Sequence, residues 1–198
     1  MVSPNWSFDP DGMRGAATPL GVAAGQLQRK APQMNVQDRQ DCERNFRRAQ
    51  QLLSSKIFEP VNAASPFQQS AFIDLMVCMR DLMHKAEKYT QRINFKDDVI
   101  TSRYVNDVTD AITAVRDACC HIDSFKKNFD ENGNRGEYLV AYGKCNLLKM
   151  DDFEARGEYE DDIAIFYGRN RVYLRRHIIR ALQQAHAQLA PLLAARGV

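Results

Sequence analysis

The chain lacks any long apolar run, since no stretch approaches the roughly 18 consecutive apolar residues that a membrane-spanning helix needs. It also lacks the charged start, apolar segment and small-residue cleavage site of a secretion signal. A helical membrane protein and an exported protein are therefore both unexpected. We predict a soluble, cytoplasmic protein.

An excess of charge of either sign is missing too. The 27 Lys and Arg residues against 25 Asp and Glu residues give a net charge of only +2. This is too little for a protein that binds polyanions through its overall charge, so a nucleic acid would have to be bound at a local site. Cysteines at metal-ligand spacing are absent as well, and we expect free thiols, no metal and no cofactor. The five cysteines are Cys42, Cys78, Cys119, Cys120 and Cys145.

The length of 198 residues suits a single domain. Residues 1–35 contain four of the seven prolines and almost no periodic apolar pattern. Such a segment buries too little surface to offset the entropy of ordering. We predict a disordered or extended tail at 1–35 and one domain at 36–198.

Apolar residues recur at steps of three and four in four segments of the domain, as amphipathic helices require. The first runs from 36 to about 57. The second runs from 66 to about 91, with Ser65 as its N-cap and Pro66 in its first turn. The third carries Val105 to Ile122, and Asp97 or Asp98 is its expected cap. The last begins near 169–172 and reaches about 195.

Between the third and last helices the pattern changes to short extended segments. Residues 138–142, 145–148 and 163–167 are candidate strands, Asn132-Gly133 is a turn signal, and 151–160 is an acidic loop. The predicted fold class is therefore mainly α: an up-and-down helical bundle with a small β-hairpin insert before the C-terminal helix.

The candidate catalytic residues are Arg116, Asp117 and His121 near the end of the third helix. Histidine takes and gives protons near neutral pH, and arginine offers a fixed positive fork for phosphate oxygens. A metal-free ribonuclease needs both groups. The alternative is that both are ordinary residues at a helix end, a common placement for such a pair.

Helix geometry raises a difficulty with this site. Five residues along an ideal helix rotate His121 by about 140° from Arg116. For both side chains to reach one ligand, the helix must distort there or a second copy of the chain must contribute.

Other groups of polar residues are weaker candidates for a functional site. Arg80 and His84, four apart on the second helix, share a face but are expected to be solvated or ion-paired. The carboxylates of 151–162 match no calcium-loop or two-metal pattern, and Gly143-Lys144 lacks the preceding glycine of a phosphate loop. His177 and His186 are expected at the surface.

The pattern of Arg116, the polar Asp117, three further residues and His121 resembles the signature of the HEPN superfamily. Its setting, with long helices before and after the motif helix, also resembles that family. The segments that carry the similarity are 92–98, 107–112, 161–168 and 177–181. The resemblance covers roughly 40–193 and implies a bacterial branch with a β insert before the last helix.

The resemblance implies a metal-independent endoribonuclease of toxin, abortive-infection or antiphage type that leaves 2′,3′-cyclic phosphate and 5′-hydroxyl ends. Arg116 would stabilise the phosphate, His121 would be the acid–base group, and Asp117 would orient them. The implied partners are the RNA substrate, a second copy in a two-fold homodimer whose interface holds the site, and an antitoxin or activating defence protein.

One position departs from the family pattern. Some toxins of this superfamily have a tyrosine two residues after the histidine, which an antitoxin modifies, whereas this chain has Asp123 there. Control by that route is therefore in doubt. Two other classes stay open: a non-catalytic nucleotide- or RNA-binding adaptor in a defence complex, and a helical scaffold without nucleotide chemistry.

Overall fold

The computed structural model describes residues 33–121, 128, 138–150 and 153–195. These residues form four α-helices and two antiparallel sheets with five strands in all. The expected tail lies outside them except for its last three residues, of which Met34 is buried and Asn35 caps the first helix. The turn predicted at Asn132-Gly133 also lies outside the described residues.

The two long helices form where their apolar spacing predicts them. Helix α1 spans Val36–Ser54 and buries Cys42, Phe46, Ala49 and Leu53. Helix α2 spans Gln68–Tyr89. The predicted N-cap of α2 is wrong, because the Ser65 hydroxyl accepts from the Phe67 amide in the turn before the helix.

Helix α3 spans Val108–Cys120, and its start corrects a second prediction. Asp107, rather than Asp97 or Asp98, is the N-cap, and its carboxylate accepts from the Asp110 amide at 3.0 Å. Val105 precedes the helix and forms an isolated bridge with Ser102. Asp97 and Asp98 instead belong to the connection between α2 and α3.

Five strands follow, two of which were not predicted. They are β1 (Tyr138–Tyr142), β2 (Cys145–Met150), β3 (Phe153–Gly157), β4 (Ile163–Tyr167) and β5 (Asn170–Tyr173). Strand β3 lies in the predicted acidic loop, and β5 takes the place of the expected start of the last helix. The last helix, α4, spans Arg180–Ala194 after a π-helical segment at Leu174–Ile179, and Pro191 lies within it.

The strands pair as a three-stranded sheet in the order β1-β4-β5 and a separate β2-β3 hairpin. Strand β4 is buried along its whole length, and Ile163, Ile165 and Val172 share one apolar core with the helices. Beside the hairpin, a Cβ on Gly157 would lie 2.0 Å from the Gly143 carbonyl oxygen, so only glycine allows this approach.

The predicted fold class is therefore wrong. The described residues form a mixed α/β fold with 53% helix and two antiparallel sheets, not a helical bundle with a small insert. The physical reason is that β4 and β5 contribute to the main core instead of projecting from it. None of the described helices is both long and apolar enough to cross a membrane.

Candidate active site

The three predicted site residues meet at the C-terminal end of α3 within one chain. The Arg116 Nη1 atom lies 3.1 Å from Asp117 Oδ1 and 3.3 Å from His121 Nε2. Arg116 and Asp117 are about three-quarters buried, with side-chain exposures of 25% and 24%, whereas His121 is exposed. A cation held by a carboxylate thus lies beside an accessible imidazole.

The contact between Arg116 and His121 depends on where α3 ends. His121 is the residue after the last helical turn, and its backbone is extended, with φ −110° and ψ 112°. Its amide still donates to the Asp117 carbonyl at 3.1 Å. The chain therefore leaves helical geometry after His121, and the 3.3 Å contact shows that the two side chains meet despite the offset of about 140° along an ideal helix.

The donor and acceptor roles in this contact follow from the chemistry of the two groups. A guanidinium carries five N–H donors and no acceptor. Arg116 Nη1 can therefore donate to Nε2 of His121 in the tautomer that leaves this nitrogen unprotonated. A neutral imidazole is the form that can take a proton.

Arg92 fixes α3 against α2 and so positions the site. It donates to both carboxylate oxygens of Asp107, at 2.9 and 3.0 Å, and to Asp110 at 2.5 Å. It also contacts Glu87 of α2 at 2.9 Å. This role of Arg92 was not predicted, because no local pattern pairs Arg92 with carboxylates 15 and 18 residues away.

The other sites considered from sequence have different roles. His177 is wholly buried, so its predicted place at the surface is wrong, and His186 is half-buried with its ring edge on Phe46. Asp162 of the acidic segment is buried and accepts from the backbone amides of Arg175 and Arg176. Among the residues that the structure describes, no three His, Cys, Asp or Glu side chains are grouped to hold a metal ion.

A cavity of about 370 Å³ lies elsewhere on α3. Ala111 and Ala114 line one side of it, and Tyr104 and Arg171 are among the other lining residues. Arg116, Asp117 and His121 are not among them. This cavity is therefore separate from the candidate site, where His121 is exposed.

The cysteines differ in burial, and the buried ones are unreactive. All five are free, as predicted. Burial raises the pKa of Cys42 and that of Cys78 to about 11, so both thiols are protonated and unreactive at neutral pH. Cys120, next to His121, is exposed.

Comparison of the chain with protein-family models, with curated proteins and with solved structures finds no match. The case for a function therefore rests on the geometry of Arg116, Asp117 and His121 and on the sequence pattern that they form.

Proposed function

We propose that this protein is a metal-independent endoribonuclease whose site contains Arg116, Asp117 and His121. The observation that carries the proposal is the 3.3 Å contact between Arg116 Nη1 and His121 Nε2 on an accessible surface. It brings a permanent cation and a proton acceptor within reach of one phosphodiester. The resemblance of the Arg116–His121 pattern to HEPN ribonucleases supports the same reaction.

In the proposed reaction, the scissile phosphate binds Arg116 and the lone pair of His121 Nε2 turns to the ribose. The imidazole takes the proton of the 2′-hydroxyl as that oxygen forms a bond to phosphorus. The bond between phosphorus and the 5′-oxygen breaks, and the leaving oxygen takes the proton from the protonated imidazole, which returns His121 to its starting form. The products are a 2′,3′-cyclic phosphate and a 5′-hydroxyl.

Arg116 stabilises the negative charge of the transition state in this reaction. Negative charge builds on the phosphorane oxygens, and a guanidinium already in place stabilises that charge without reorganising. The bond from Arg116 Nη1 to Asp117 Oδ1 restrains the fork before substrate arrives. Asp117 is thus a positioning residue.

The test is cleavage of mixed-sequence single-stranded RNA by the pure protein in the presence of a chelator. Arg116→Ala and His121→Ala should each lower the rate by about two orders of magnitude or more, since a removed acid–base group or preorganised charge costs about that much. Arg47→Ala is the matched control, because Arg47 is exposed on α1. The product ends are identified by their resistance to, or labelling by, end-specific enzymes.

The outcomes separate the classes of function. Cleavage that the chelator abolishes would point to a metal enzyme and would contradict the proposal. Binding of RNA without cleavage would instead favour the adaptor class. All variants should keep the unfolding temperature of the wild type, because Arg116, Asp117 and His121 lie outside the apolar core.

The homodimer, and an antitoxin or activating partner, are part of this proposal through the sequence resemblance. A second copy is not needed to pair Arg116 with His121. In the dimer we expect two such pairs to face one cleft, each made within its own chain.

A further inference from the structure

Arg80 lies on α2 and has no anionic partner among the residues that the structure describes. Its side chain is half-buried, and its buried Nε has no hydrogen-bond partner. Within the described part of the chain, no carboxylate pairs with its guanidinium, whereas Arg92 contacts three acidic residues. Partial removal of a charge from water is unfavourable unless an opposite charge compensates it. Arg80 is therefore suited to a charge that a ligand brings.

The register of α2 against α3 places Arg80 beside the candidate active site. Arg92 contacts Glu87 on α2 and Asp110 on α3, so these two acidic residues lie opposite each other. Arg80 is seven residues before Glu87, and Asp117 is seven residues after Asp110. Seven residues are close to two helical turns, about 10.5 Å, and return to the same face.

Helices α2 and α3 run in opposite directions. Phe72, near the start of α2, packs against Tyr138, and Cys119, near the end of α3, is close enough to act on the pKa of Tyr138. The helices are thus antiparallel. Glu87 on α2 and Asp110 on α3 lie opposite each other. Because the helices are antiparallel, moving two turns towards the start of α2 and two turns towards the end of α3 keeps the two positions side by side. These positions are Arg80 on α2 and Asp117, next to Arg116, on α3.

The surroundings of Arg80 on α2 are open to a strand. Val77 is 43% exposed, and His84 is exposed one turn further along. Burial, and then the positive charge of Arg80, lower the pKa of His84, so His84 is neutral at neutral pH. The face therefore offers guanidinium groups from both helices and an uncharged imidazole.

We propose that Arg80 binds a second phosphate of the RNA strand, next to the phosphate held by Arg116. The inference rests on the proposed function for its ligand, a single-stranded RNA backbone. Arg80 contacts a phosphate away from the reacting atoms, so it is a substrate-binding residue that aligns the strand across α2 and α3. It gives affinity for any sequence, because phosphates carry no base information.

The experiment measures binding of a fluorescent, uncleavable 2′-O-methyl oligoribonucleotide by anisotropy at several salt concentrations. Arg80→Gln should weaken binding by about tenfold and lower the slope of log K against log salt by about 0.7, the value for one phosphate contact in a single strand. Arg80→Lys should keep the slope, because the charge remains. Arg47→Gln, with the same change of charge on α1, is the control.

Kinetics give a second readout. If the RNA is cleaved, Arg80→Gln should raise KM and leave kcat near the wild-type value, whereas Arg116→Ala should lower kcat. Binding and a salt slope for Arg80→Gln equal to those of Arg47→Gln would overturn the inference while leaving the ribonuclease proposal intact. Binding that depends on Arg80 in a protein that never cleaves RNA would support the inference and refute the ribonuclease proposal.

A folding check keeps the result interpretable. Arg80 has no protein anion to lose, so Arg80→Gln should unfold at the wild-type temperature. If Arg80→Gln were unstable and Arg80→Lys equally weak in binding, the loss would be structural and the inference would fail.

Discussion

His177 and His121 differ in burial and in the hydrogen bonds of their rings. His177 is buried, its Nδ1 accepts from the Tyr173 amide at 3.1 Å, and its Nε2 lies 3.0 Å from the Asp97 carbonyl oxygen. Because a carbonyl only accepts, Nε2 carries the proton and both ring nitrogens are in use. His121 is exposed, with its contact to Arg116 at the surface. Of these two histidines, His121 is the one that a substrate can reach.

The burial of His177 makes the stability of the fold depend on pH. Burial lowers the pKa of His177 below its ordinary value near 6.5. The unfolded chain then binds a proton that the folded chain does not, so the free energy of unfolding falls as the pH drops from about 7 to 5. This one proton contributes a slope of at most about 1.4 kcal/mol per pH unit.

Urea unfolding at pH 5, 6 and 7 checks this expectation. His177→Gln should be less stable at pH 7 but should show a smaller loss on acidification, since it has no proton to gain. His84→Gln is the control, because the pKa of His84 is also lowered but the residue is exposed. An unchanged slope in His177→Gln would show that other groups cause the pH dependence.

Side-chain contacts hold the end of α2 against the start of α3, and they position the candidate site. Arg92 crosses from the end of α2 to the N-cap of α3, where Asp107 has a side-chain exposure of only 8%. Thr109 adds a hydrogen bond to the Ile93 carbonyl at 2.6 Å. These contacts determine how α3 is placed along α2, and the proposed position of Arg80 beside Arg116 depends on that placement.

Loss of Arg92 should therefore affect both stability and activity. Arg92→Met leaves the Asp107 carboxylate buried without its cation, which costs several kcal/mol for a fully buried pair. Arg92 is 31% exposed, so solvent reduces the effect, and we expect a loss of about 2 kcal/mol in the free energy of unfolding. Urea denaturation measures the loss.

The matched control is Arg48→Met. Arg48 pairs with Asp74, but both side chains are well exposed, and such pairs contribute less than about 1 kcal/mol. The double variant Arg92→Met, Asp107→Asn should recover part of the loss, because the uncompensated charge is removed. Equal effects of the two arginine substitutions would show that burial of Asp107 is unimportant.

At the scale of the whole molecule, the three-stranded sheet shares a core with the helices, and the β2-β3 hairpin packs in a second apolar cluster. The proposed site lies at the end of α3. The contact of Arg116 with His121 is complete in one chain. A two-fold dimer would bring two complete pairs together, in contrast to a composite site that takes its arginine from one copy and its histidine from the other.

Mixed dimers distinguish these arrangements. When Arg116→Ala and His121→Ala chains with different tags are co-expressed and purified together, we expect no recovery of RNA cleavage, because neither chain has a complete pair. Wild-type chains mixed with the doubly substituted chain are the control and should retain activity. Recovery in the first mixture would show that the catalytic pair forms across the interface.

Local spacing in the sequence was sufficient for the parts of the fold that depend on neighbours three or four residues apart. It predicted α1, α2, β1 and β4, because the apolar residues of each element must share a face or a buried run. It missed β3, where Phe153, Ala155 and Gly157 are buried in alternation between charged residues. It also missed β5, because Val172 and Tyr173 lead without a break into the helical spacing of Leu174 and Ile178.

The sequence by itself determined which residue types are available for chemistry: an arginine, a carboxylate and a histidine within six positions. Only the tertiary structure decided that they meet, at the residue where α3 ends. It likewise decided that Asp107 begins α3 and that Arg92 bridges Asp107 and Asp110. These features depend on Arg92 and its partners 15 and 18 residues away, and periodicity along one helix carries no information about such distant contacts.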